Sequence, residues 1–133
     1  NSKLEIDLSS MGLCLEIECE FTITSLTQMS FSCRRQRRYL SLPILYLNNK
    51  RNRLRFGDQT ISRYSLDTPI NTYKLHIFID HQVGECFYQD TNCVTARIQR
   101  SSIPFSHLLI KLRKGEITFR ILRVHQLQVP KGD

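Results

Sequence analysis

Apolar and polar residues alternate with a period of two along most of this chain, and that pattern excludes most folds. In the stretch 14–23, CLEIECEFTI, one side carries Leu15, Ile17, Cys19, Phe21 and Ile23, and the other carries Glu16, Glu18, Glu20 and Thr22. Successive side chains of a strand point to opposite faces, so such a stretch is a strand with one dry face and one wet face. Leu4, Ile6 and Leu8 repeat the pattern, as do Met29, Phe31 and Cys33, then Leu54 and Phe56, then Tyr73, Leu75, Ile77 and Ile79. Further strands are predicted around Phe87, through Val94, Ala96 and Ile98, and over 105–112 and 117–127. No window of helical length carries a sustained i, i+3, i+4 apolar pattern with caps. About ten or eleven short strands, with turn signals such as Gly57-Asp58 and Lys114-Gly115, predict an all-β sandwich or barrel. Two places lack a strand pattern: residues 34–52, polar and interrupted by Pro43, and residues 62–71, which read as a loop across a sheet end.

The 133 residues, 41% hydrophobic and 23% charged, suit one ordinary globular domain, expected to run over 1–133. There is no apolar run near the roughly 18 residues of a membrane helix, and no signal-peptide core. Met11 and Met29 are both internal, so the chain is expected to be cut from a longer protein. Localisation stays open.

The net charge of +7 is local. Between Arg34 and Arg63 lie nine cations, Arg34, Arg35, Arg37, Arg38, Lys50, Arg51, Arg53, Arg55 and Arg63, against the single acid Asp58. A basic segment of this kind is either a solvated strand face or a surface for an anionic partner. Nucleic acid is not the expected partner, because no aromatic-interleaved RNA motif or DNA-reading helix accompanies the charge. The five cysteines, Cys14, Cys19, Cys33, Cys86 and Cys93, are odd in number and form no CxxC pair. Cys86 and Cys93 either pair across a turn in an oxidising compartment or remain free thiols like the others. The four histidines are scattered through the sequence, so neither a metal nor any other cofactor is expected.

Three groups of residues invite a chemical reading. Asp80, Glu85 and Asp90 are spaced five apart in LHIFIDHQVGECFYQD. A retaining glycosidase needs two carboxyls about 5 Å apart, but sequence spacing does not establish that separation. Asp80 and Asp90 fall at turns, where Asp caps backbone amides. Glu85 shares parity with Val83 and Phe87 and is expected to face inward, with Arg97 as its partner. Ser106 and His107 are adjacent without a G-x-S-x-G elbow and read as strand surface. Tyr39, Tyr46, Tyr64 and Tyr88 are candidates for stacking on sugar rings in a chain without Trp. No catalytic residue is assigned.

The run Leu75-His76-Ile77-Phe78-Ile79-Asp80, then Gly84-Glu85-Cys86-Phe87, then Asp90, then Val94-Thr95-Ala96-Arg97-Ile98, resembles the C-terminal module of glycoside hydrolase family 32, the invertases and fructan hydrolases. Residues 115–124 resemble its closing strand. The pattern departs from that module at His81, where Arg is usual, at Gly84 for Val, and at Thr91 for Gly. The resemblance implies a sandwich of two packed antiparallel sheets, a concanavalin-like jelly roll, appended to a catalytic five-bladed β-propeller. The propeller's N-D-P-N-G, R-D-P and E-C-P motifs do not occur here; Glu18-Cys19 and Glu85-Cys86 lack the following Pro. The expected function is therefore a non-catalytic accessory module that stabilises the propeller and supports oligomerisation. Two alternatives stand beside it: a free-standing carbohydrate-binding sandwich, and a basic module binding an anionic polymer through Arg34–Arg38.

Overall fold

Alternation this regular leaves a chain little choice but to pair strands and close two apolar faces on each other, and the computed structural model does so. It describes residues 2–35, 41–61, 71–89 and 92–127. Eleven strands appear among them: β1 Ser2–Asp7, β2 Cys14–Ile23, β3 Gln28–Arg35, β4 Ser41–Asn48, β5 Arg53–Phe56, β6 Gln59–Ile61, β7 Thr72–Asp80, β8 Val83–Tyr88, β9 Asn92–Arg97, β10 Phe105–Lys114 and β11 Ile117–Gln126. They form a six-stranded sheet ordered β1-β10-β3-β4-β5-β6 and a five-stranded sheet ordered β11-β2-β7-β8-β9, with every pairing antiparallel. The all-β sandwich expected from the sequence is the observed architecture. No helix among the described residues is long and apolar enough to cross a membrane. The loop expected over 62–71 lies almost wholly outside the described residues.

The core is the apolar parity of both sheets. Phe31, Phe56 and Phe105 of the six-stranded sheet meet Phe21, Tyr73, Leu15 and Ile17 of the five-stranded one, all fully buried. Burying each such Phe stabilises the fold by about 1.5–3 kcal/mol. Phe21 stacks on Tyr73 with ring centroids 5.4 Å apart. One end of the sandwich is closed by polar contacts. The buried Thr27 hydroxyl donates to the Glu116 carbonyl at 3.0 Å and accepts the Thr24 amide at 3.0 Å, which ties the β2–β3 turn to the β10–β11 turn. Gly115, at a φ of 82°, makes that second turn, and any side chain there would run into Thr27.

Two strands escaped the sequence reading. β4 crosses the region taken as polar and irregular, and β6 is only three residues long. The reason β4 was hidden is a bulge: Phe31 pairs with Leu45 but Ser32 pairs with Pro43, so Ile44 is an extra, unpaired residue. Ile44 and Leu45 are both buried, which breaks the period of two. Pro43, which has no amide to donate, sits where the ladder is already interrupted.

Two expectations about side-chain direction are also corrected, and the cysteine pairing left open is decided. Glu85 faces out, not in: β8 buries Gly84, Cys86 and Tyr88, which puts Glu85 on the exposed face, where its register partner is Thr95 and not Arg97. Tyr88 is buried rather than exposed, its ring 5.9 Å from that of Tyr73. Cys86 points into the core and Cys93 to solvent on opposite faces of the sheet, so no disulfide joins them; all five thiols are free.

Gly84 also has a physical reason. A Cβ there would lie 2.8 Å from the Phe56 ring of the opposite sheet and 3.0 Å from Ile98. The Val of the resembling pattern therefore has no room in this interior. Gly84→Ala is expected to cost about 1–3 kcal/mol through overpacking, seen as a lowered Tm, with Gly84→Val worse; an unchanged Tm would mean that the Phe56 ring does not press on β8. The thiols supply a second check. Burial pushes Cys19, Cys33 and Cys86 up to about 12, so these three should resist a thiol reagent at neutral pH until the chain unfolds, whereas the exposed Cys93 reacts in the native state. Rapid native labelling of all five would contradict this packing.

Candidate functional site

The parity that buries Leu45 and Leu47 turns Tyr46 out onto the face of the six-stranded sheet that is turned away from the core. The register aligns Lys3, Lys111, Ser30, Tyr46, Arg55 and Thr60 as one row across all six strands. The next row along the same face places Asn48 between Gln28 and Arg53. The Asn48 side-chain amide donates to the Tyr46 hydroxyl at 3.4 Å, which restrains the ring.

Tyr46 separates two open grooves. One, of about 630 Å³, is lined by Pro43, Tyr46, Arg53, Arg55, Asp58 and Arg97 among others. The other, of about 570 Å³, is lined by Ser30, Tyr46, Lys3, Lys111 and Arg113 with their neighbours. Asp58 fixes the rim of the first groove: its Oδ1 accepts the Arg97 backbone amide at 3.1 Å, joining the β5–β6 turn to β9 of the other sheet. Arg53 and Arg55 form no ion pair among the described residues. The site thus offers one held aromatic ring, flexible cationic donors, and small hydroxyls.

The outer face of the five-stranded sheet is different in character. Glu16, Glu18 and Glu20 stand along β2, and basic side chains face them: His76 lies 2.7 Å from Glu16, Arg120 lies 3.3 Å from Glu20, and Arg123 lies 3.9 Å from Glu18. His76 also packs on Phe78, centroids 4.3 Å apart.

The carboxylates singled out in the sequence do not converge. Asp80 is exposed at the end of β7, where hydrogen bonds from His81 and then Cys14 hold its carboxyl below the usual range. Glu85 lies on the outer face of β8, and Asp90 is outside the described residues. The Ser106 hydroxyl donates to the Arg34 carbonyl at 3.2 Å, while His107 Nδ1 lies 3.0 Å from the Ser106 Oγ. The serine proton is thereby committed to the backbone. Arg34 itself is paired to Glu5 at 3.3 Å, and Arg37, Arg38 and Tyr39, like Arg63 and Tyr64, are outside the described residues.

Two trios of metal-ligating type come together that sequence spacing did not reveal, because strand pairing and not a local motif assembles them. Cys14, Asp80 and His81 place their ligand atoms within 4.8 Å of one another, and so do Glu16, Glu18 and His76. In the first trio, burial and the adjacent Asp80 push the Cys14 thiol up, so it keeps its proton and donates it to Asp80 at 3.2 Å. In the second, Glu16 is engaged by the His76 ring at 2.7 Å and Glu18 lies 3.9 Å from Arg123.

No protein-family model matches the chain, and no curated protein matches it. Solved structures do match in shape. A toad ovary galectin in complex with thio-digalactose superposes with a TM-score of 0.64 at 8% identity, over 94% of this chain and 99% of the galectin. An ancestral congerin gives a TM-score of 0.61 at 12% identity, covering 92% and 99% of the two chains. A Caenorhabditis elegans galectin gives 0.60 at 13% identity, covering 93% and 91%. At such identities the likeness is one of fold, a galectin-type jelly-roll sandwich. It overturns the resemblance to the C-terminal module of glycoside hydrolase family 32, and with it the invertase and hydrolase assignments and the propeller partner. The residues that carried that resemblance explain the error: Leu75, Ile77 and Ile79 are the buried parity of β7, Cys86 that of β8, and Ala96 that of β9. They record the demands of a half-buried sheet, which unrelated sandwiches share.

Proposed function

We propose that the chain is a carbohydrate-binding β-sandwich that works without catalysis, with the saccharide lying across the outer face of the six-stranded sheet. Tyr46 is the observation that carries this reading. Among the described residues, one restrained aromatic ring stands on this face between two grooves, with cations and hydroxyls beside it. A sugar ring has an apolar face of C–H groups and a rim of hydroxyls, so it needs an aromatic platform with donors and acceptors beside it. Arg53 and Arg55 supply donors in the first groove and Ser30 a hydroxyl on the other side. The fold likeness to a toad galectin solved with thio-digalactose supports the choice of ligand class and makes a galactoside the first probe. No hydrolysis is assigned.

Binding of thio-digalactose, followed by calorimetry, tests this. The intact chain is expected to bind, and Tyr46→Ala to weaken binding by about tenfold or more, that is about 1.4 kcal/mol or more, with its Tm close to that of the parent because the ring is not part of the core. Failure of a panel of neutral and charged saccharides to bind, or equal binding by Tyr46→Ala, would contradict the proposal.

A further inference from the structure

The groove lined by Lys3, Lys111 and Arg113 carries a charge that a neutral sugar does not use. None of its lining residues is a carboxylate. Lys3 and Lys111 stand directly opposite each other in the β1–β10 register, and like charges so placed destabilise a sheet. Lys3 has only a 3.9 Å contact to Glu5, which Arg34 approaches more closely at 3.3 Å. Lys111 and Arg113 form no ion pair among the described residues. On the five-stranded sheet the opposite holds, since Glu18 and Glu20 each meet an arginine and Glu16 lies 2.7 Å from the His76 ring. The fold neutralises charge on one outer face and leaves it open on the other, beside the ring proposed to hold a sugar.

We propose that this groove is an anion subsite and that the ligand is an acidic saccharide, its sulfate or carboxylate seated among Lys3, Lys111 and Arg113 while a neighbouring sugar rests on Tyr46. The inference rests on the saccharide reading above. Lys111 and Tyr46 lie two strands apart, about 9–10 Å between backbones, so the acidic group belongs on the residue adjoining the stacked one. An anion there relieves the Lys3–Lys111 repulsion and accepts charge-assisted hydrogen bonds, which are stronger than neutral ones.

Matched saccharides decide the matter: lactose, the same disaccharide bearing a sulfate, and the same bearing a sialic acid carboxylate, each titrated at low and at physiological salt. An acidic form is expected to bind about tenfold or more tighter than lactose at low salt, the gain of one charge-assisted contact, and to lose much of that advantage as salt screens it. The two acidic arms show whether sulfate or carboxylate is preferred. The exposed double variant Lys111→Gln, Arg113→Gln should bring the acidic forms down to the affinity of lactose, with Tm unchanged. Lactose binding equal to that of both acidic forms overturns the anion subsite and leaves the saccharide reading standing; no binding of any saccharide overturns both. A single-stranded oligonucleotide that binds as tightly as the acidic sugars, and is equally weakened by the double variant, overturns the subsite in favour of a general polyanion surface.

Discussion

Everything on the surface of this protein is set by which side of each strand is buried. Two sheets share one apolar interior, and a slip of one residue in any strand would exchange its dry and wet faces. In β4 that constraint is held by Leu45 and Leu47, both fully buried, and it is what turns Tyr46 outward. The bulge at Ile44 matters for the same reason. Leu42 and Leu47 are five residues apart, so an unbroken ladder would put them on opposite faces. The bulge absorbs Ile44 and lets both ends of β4 turn toward the core, with Pro43 placed beside the interruption. A local irregularity thus places the one ring on which the proposed site depends.

The two outer faces show how one architecture carries different electrostatics. The five-stranded sheet alternates acid and base across neighbouring strands, so its charges are spent on each other. The six-stranded sheet collects cations on β1, β5 and β10 around Tyr46 with little to oppose them. Exposed ion pairs contribute little to stability, so the difference says more about what each face is available to meet than about how the fold is held together. Stability lies inside, in close approaches such as that of Gly84 to the Phe56 ring, where the sheets touch with no room for a methyl group.

Much of the fold was legible because it is written in period-two alternation, which β2 and β7 carry plainly. β4 was not legible because its bulge breaks the period, and β6 because three residues are too few to show one. Parity was readable for Glu85, but its sign was not: Val83 and Phe87 are apolar yet lie on the wet side, and the small Gly84 is the residue that faces the core. Tyr46 was visible as one of four candidate tyrosines, and only the paired register separated it from the buried Tyr88. The trio Cys14, Asp80 and His81 could not be read at all, since strand pairing brings together residues 67 positions apart. The mistaken family resemblance came from the same source as the correct fold: residues that satisfy a sheet recur wherever sheets pack.

The proposed saccharide face is the outer side of the six-stranded sheet. Amide chemical-shift mapping during titration with a galactoside tests it most directly. The predicted result is a contiguous set of shifts on β3, β4 and β5 centred on Ser30, Tyr46 and Arg55, with the five-stranded sheet unmoved. Shifts centred instead on Glu18, His76 and Phe78, or no shifts at saturating sugar, would contradict it.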